Sequence, residues 1–89
     1  MEQDYKPKKA ERLISRQEDD SLLIFDSDSG SIKVLNETAA LVWNTIDGNT
    51  SAQEIIDVVS EKNPEESRDT IERDVKAFLE DLQSHHFIM

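Results

Sequence analysis

Ser21-Leu22-Leu23-Ile24-Phe25-Asp26-Ser27-Asp28-Ser29-Gly30-Ser31-Ile32-Lys33-Val34-Leu35-Asn36 is the stretch whose reading decides the fold class. Its first five residues form a continuous apolar run that is too short for a helix. Asp26 to Gly30 then supply strong turn chemistry, because Asp, Ser and Gly favour local backbone hydrogen bonds and left-handed conformations. After the turn, Ser31-Ile32-Lys33-Val34 alternates polar and apolar, which puts Ile32 and Val34 on one sheet face. From Asn36 onward the period changes from two to about 3.6 residues, so the segment reads as a hairpin running into a helix.

Upstream of this stretch, Ala10 to Gln17 holds Leu13 and Ile14 and is a third strand candidate, with Glu18-Asp19-Asp20 as its turn. Met1 to Lys9 offer little to bury and read as a flexible arm, leaving residues 10–89 as the domain. Downstream, Ala39, Val42, Trp43 and Ile46 lie at i, i+3, i+4 and i+7, between Asn36 as N-cap and Gly48 as stop. Ala52, Ile55, Ile56 and Val59 repeat the spacing behind two overlapping capping boxes, Thr50-x-x-Gln53 and Ser51-x-x-Glu54. Asn63-Pro64-Glu65-Glu66 predicts the start of a longer third helix over 64–84, with Ile71, Val75, Phe78, Leu79 and Leu82 as its apolar stripe. Phe87-Ile88 is an apolar end able to tuck into the core. Strands segregated from helices predict an α+β domain: a three-stranded antiparallel sheet followed by three helices.

Composition narrows the function classes. The 89 residues carry 20 acids and 10 bases, a formal charge of −10, and no cysteine. Leu, Ile, Val and Phe make 23 of the 89, enough for a folded but small core. The charge is uneven: −1 over residues 1–20, −3 over 21–50 and −6 over 51–89. Acid excess repels nucleic acid and anionic membranes, and no run is long enough to span a bilayer. Without cysteine there is no disulfide, thiolate metal site or Cys nucleophile, which fits a cytoplasmic setting.

Catalysis has almost no material. His85 and His86 are adjacent and point about 100° apart on a helix, so they do not chelate one metal. Asp26-x-Asp28-x-Gly30 with Glu37 brushes against a calcium loop, but Gly30 has no side-chain oxygen at the fifth ligand position and Ser31 replaces the turn glycine. Asp20-Ser21-Leu22 matches the phosphopantetheine attachment motif of carrier proteins, yet it precedes a strand-like run where that family opens a helix. Three helices beside a small sheet also describe a winged helix, but the segment 64–84 holds three bases against seven acids and DNA would be repelled. The expectation is a protein that is no enzyme, with no cofactor or metal.

A sheet edge is the remaining active feature. In a meander the last strand, Ser31 to Leu35, is an edge whose unpaired N–H and C=O groups accept a guest strand. The plain alternative is a short edge protected by Lys33.

Leu35-Asn36-Glu37-Thr38-Ala39-Ala40-Leu41-Val42-Trp43-Asn44-Thr45-Ile46-Asp47-Gly48 resembles the LN-x-TA-x-x-[IV]W-x-x-[LI]DG signature of the PqqD family. Thr50 and Glu54-Ile55 match its next segment, and Asp74-Val75, Phe78-Leu79 and Leu82 resemble its third helix. The family often places a glycine before its final apolar pair, where this chain has His85-His86. The resemblance implies a winged helix-turn-helix-like recognition element that binds the leader of a ribosomally made precursor peptide as an added antiparallel strand. It implies delivery of that precursor to a modifying enzyme, such as a radical SAM enzyme, or to a leader peptidase of a lasso-peptide pathway. Mapped here, the pairing groups are the backbone of Ser31, Ile32, Lys33, Val34 and Leu35. The facing wall is the third-helix flank Thr70, Asp74, Ala77 and Asp81, together with Phe78; the other flank, Arg68, Glu72 and Lys76, is the alternative. Acids at 74 and 81 favour a leader carrying Lys or Arg. Two other classes stand beside this one: an acidic protein–protein adaptor, and a carrier protein modified at Ser21.

Overall fold

The computed structural model describes residues 4–89. Three strands, β1 (Leu13–Gln17), β2 (Leu22–Asp26) and β3 (Ile32–Leu35), form an antiparallel sheet in sequence order. Both connections are tight. The first closes with the Glu18 N–H donating to Ser21 O at 2.8 Å, and the second with the Gly30 N–H donating to Asp26 O at 2.8 Å. Gly30 sits at φ +76°, a conformation that glycine adopts without the steric cost a Cβ carries. Ser21 opens β2 directly, so it does not begin a helix.

The sheet has one dry face. Leu22, Ile24 and Leu35 are buried against the helices. Ile32 and Val34 do share a face, but it is the outer one: they are 61% and 63% exposed, while Lys33 between them turns inward toward the helical layer. This inverts the usual pattern, in which the polar residue of an alternating strand faces water.

The helices are α1 (Glu37–Thr45), α2 (Ala52–Lys62) and α3 (Arg68–Ser84). Asn36 caps α1 by accepting the Ala39 N–H at 2.9 Å. Of the two overlapping capping boxes, Ser51 and Glu54 form the real one, with reciprocal bonds of 3.1 and 3.0 Å. Thr50 is excluded because its own N–H is held by the Asp47 carboxylate in the preceding turn. The third helix starts later than expected. Asn63 ends α2, its side chain donating to Val59 O, and Pro64 to Glu66 form a turn closed by Glu66 N–H to Asn63 O. Pro64 disfavours helical geometry at Asn63, and the Ser67 hydroxyl, accepting the Thr70 N–H, caps α3 instead.

The end of α3 is closed without a glycine. His86 takes the left-handed conformation at φ 61°. Its N–H donates to Gln83 O and the Phe87 N–H donates to Leu82 O, the paired bonds of a Schellman cap. Phe87 and Ile88 are consequently returned to the core, which also holds Val42, Trp43, Ile55, Ile56, Ile71, Val75, Leu79 and Leu82.

Met1 to Gln3, the tip of the expected arm, lie outside the described residues. The rest of that arm lies along the fold: the Ala52 N–H donates to Tyr5 O, Gly48 N–H to Pro7 O and Met89 N–H to Lys8 O, and Lys9 pairs with Ile88. Pro7 is buried, and the Lys9 ammonium stands 4.9 Å over the Trp43 ring. These carbonyls satisfy N–H groups that would otherwise be orphaned, including one in the first turn of α2.

Candidate functional site

The register shows which groups of β3 are free. The Asp26 N–H donates to Ser31 O at 2.9 Å, so the backbone of Ser31 points toward β2. In an antiparallel ladder bonded and non-bonded pairs alternate. Lys33, opposite Ile24, and Leu35, opposite Leu22, therefore also spend their N–H and C=O groups on β2. Ile32 and Val34 turn theirs outward. Of Ser31 to Leu35, the expected pairing stretch, two residues thus have outward-pointing backbone groups, and the Leu35 side chain is buried in the core.

The same alternation sorts a guest strand. Guest residues opposite Ile32 and Val34 share their outer face, whereas one opposite Lys33 points inward to α3.

Lys33 marks where α3 meets the sheet. Its ammonium lies 3.0 Å from Asp81 Oδ2, and both side chains are partly exposed. One turn or two back along the helix, Phe78 and Asp74 line a cleft of about 340 Å3 that continues from the end of β3. Val42, Val59, Ile71 and Val75 make its apolar floor, and Asn36, Asn63 and Glu66 contribute to its polar rim. The flank of α3 carrying Asp74, Phe78 and Asp81 thus faces β3 and α1. The alternative flank turns to α2, where Arg68 pairs with Asp57. Ala77 is exposed between Asp74 and Asp81. Thr70 does not line the cleft; its N–H and hydroxyl are bonded to Ser67 in the helix cap.

The two acids are not equivalent. Asp81 is paired with the Lys33 ammonium at 3.0 Å, so its charge is answered within the chain, and the His85 ring Nδ1 lies 2.8 Å from its backbone carbonyl. Among the described residues, Asp74 pairs with its neighbour Arg73 at 3.7 Å, and both are well exposed. With Glu66 it gives the cleft a negative rim.

Sequence reasoning missed the α1 and α2 contribution to this cleft. Asn36 was legible as a cap, but that it also borders a cavity depends on how α1 lies beside α3. Also missed was the fastening of the β2–β3 turn. Arg12 grips the buried Asp26 carboxylate through Nε at 3.1 Å and Nη2 at 3.4 Å, and the Asp28 N–H adds a bond of 3.0 Å. The Arg12 hydrogen bond holds the Asp26 carboxyl below its usual range. Among the described residues no group of three or more His, Asp or Glu is placed to hold a metal. None of their helices is long and apolar enough to cross a membrane.

Known proteins share this architecture. The structure of TbiB1 in complex with the TbiA(beta) leader peptide superposes with a TM-score of 0.82 at 22% identity, covering 91% of this chain and 93% of that one. Lasso peptide synthetase B1 complexed with the leader peptide matches with a TM-score of 0.83, also at 22% identity, over 96% and 99% of the two chains. No curated protein matches. The family model described as Coenzyme PQQ synthesis protein D (PqqD) matches residues 21–88, from the start of β2 through the capped end of α3, and the chain belongs to that family.

Proposed function

We propose that this protein is a non-catalytic recognition element that binds the leader of a ribosomally synthesised precursor peptide by strand addition to β3. It presents that precursor to a modifying enzyme or leader peptidase. The single observation that carries the reading is the open edge at Ile32 and Val34, facing α3 and running into the Phe78 cleft. An extended peptide gains main-chain bonds from these two residues, and specificity from an inward side chain beside Lys33 and an apolar anchor in the cleft. The family membership and the leader complexes of the two similar structures support the same assignment. Because the guest runs antiparallel to β3, its N-terminal part lies at the Asn36 cleft. Its C-terminal part, which continues into the segment to be processed, leaves near the β2–β3 turn.

Ordering a disordered leader costs on the order of 2–5 kcal/mol, so a short docked segment gives moderate, reversible affinity suited to handing a substrate on. The test is a titration of labelled protein with the leader of a short precursor encoded beside its gene, followed by amide exchange. Protection is expected at Ile32 and Val34, with shifts at Asp74, Ala77 and Phe78. Unchanged exchange at both edge amides in a complex of proven affinity would sink the placement.

A further inference from the structure

Ile32 and Val34 are open in two ways at once. Their backbones point away from β2, and their side chains stand 61% and 63% exposed on the outer face of the sheet. The backbone groups form the edge already described. The side chains have no use in the domain's own packing, because the helices cover the opposite face. Apolar residues on an open edge invite unwanted strand pairing, and an outward lysine is a common guard against it. Here the one charge on β3, Lys33, is turned inward to Asp81 at 3.0 Å, so the edge is left apolar and unguarded.

The register says what fits there. Ile32 ends the row Ile14–Phe25–Ile32, and Val34 ends the row Arg16–Leu23–Val34. A strand added to β3 continues both rows, setting one side chain beside Ile32 and one beside Val34, with Cα atoms of each bonded pair about 5.5 Å apart. Apolar residues at those two places shield Ile32 and Val34 from water and gain a cross-strand pair each. A second copy is a poor occupant. Pairing β3 with β3 would bring together two chains of net charge −10, each with Asp74 and Asp81 on the helix flank that faces this edge. A short peptide brings no second acidic helix.

Resting on the leader reading, we infer that the outer face of β3 selects the leader by side chain as well as by backbone. It takes leaders with aliphatic or aromatic residues at two positions separated by one residue, the first opposite Val34 and the second opposite Ile32. The antiparallel run sets that order. The residue between them points inward beside Lys33, so recognition is divided between the two faces of the added strand. The groove against α3 reads one set of leader side chains, and the exposed rim of the sheet reads the other.

The test uses Ile32→Thr/Val34→Thr, which keeps β-branched residues and both backbone N–H groups while removing apolar surface. Ile32→Val/Val34→Ile keeps that surface, and Ile14→Thr alters the same face two strands away. The ligand is the leader of a short precursor encoded beside the gene, with its residues opposite Val34 and Ile32 located by cross-strand nuclear Overhauser effects. Calorimetry is expected to show leader affinity about 3- to 30-fold weaker for the double-threonine variant, the loss of two cross-strand pairs. The other two variants should stay within about twofold of wild type. Replacing the two located leader residues by Thr should weaken binding to wild type by a similar factor, and to the double-threonine variant by less than about twofold, because the partners are already gone. These leader replacements read the same pairs with the domain unaltered, should the double variant unfold. Unchanged affinity of a folded double-threonine variant overturns the inference, as do equal losses in wild type and variant, or polar residues at both located leader positions. In each of these cases protection of the Ile32 and Val34 amides keeps the leader reading standing, whereas a wild type that binds no leader overturns both.

Discussion

The sheet has two edges, and they are built for different fates. β1 is exposed over four of its five residues and carries Arg16, a charge of the kind that discourages added strands. β3 carries apolar Ile32 and Val34 at its open positions, has α3 across from it, and leads into a cleft. An ion pair ties each edge to a neighbouring part of the fold, again of different kinds. Arg12–Asp26 is a two-pronged grip on a buried carboxylate that ties β1 to the β2–β3 turn, whereas Lys33–Asp81 is half-exposed and links β3 to the helix. On the proposed reading, the lesson is that hydrogen-bonding capacity alone does not make a docking edge. It needs a second wall.

Proline scanning breaks the comparison most sharply. Val34→Pro and Ser15→Pro each remove an outward N–H, one from each edge, so both are tolerable where an edge strand meets solvent. Val34→Pro leaves a guest carbonyl unsatisfied at about 1–3 kcal/mol. Leader affinity measured by calorimetry should fall about 10- to 100-fold for Val34→Pro and stay unchanged for Ser15→Pro. The reverse result would move the docking edge to β1.

The second wall is tested by Ala77→Arg, which fills the space above Asp74 and Asp81. Leader binding should weaken roughly tenfold, about 1.4 kcal/mol, with the fold intact by circular dichroism. Normal binding would mean that the guest does not lie along this flank of α3.

The ion pairs separate by pH. Asp26 has a folded-state pKa lowered from 3.8, chiefly by the Arg12 hydrogen bond. Its contribution to stability is therefore present above the ordinary carboxylate value and is lost as pH falls through the depressed folded one. Denaturant titrations should show Asp26→Asn less stable than wild type at pH 7, with the gap closing below about pH 3.8. A gap that persists in strong acid would assign the role of Asp26 to something other than its charge.

The smallest effect lies away from both edges. His86→Gly relieves a left-handed residue and should stabilise by about 0.5–1 kcal/mol in thermal unfolding, with leader affinity unchanged.

Much of this was legible because it is local. Asn36 and Ser51 as caps, the turn at Asp26 to Gly30 and the stripe Ile71-Val75-Leu79-Leu82 all follow from short-range hydrogen bonding and helical periodicity. The start of α3 was misplaced because Asn63-Pro64 and Ser67 are both plausible caps, and only the path of the chain out of α2 chooses between them. The candidate site was half legible. An edge strand and a helix flank could be named, but not the phase of the ladder.

Sequence by itself determined the order of elements, their approximate ends, the family and the acidic character, since these depend on neighbours a few positions apart. Tertiary structure alone decided that Ile32 and Val34, and not Lys33, face water, that their backbones are the free ones, and that Asp81 is already engaged. Alternation along a strand sets two faces and two hydrogen-bonding directions without labelling them. Only packing against β2 and α3 assigns which is which.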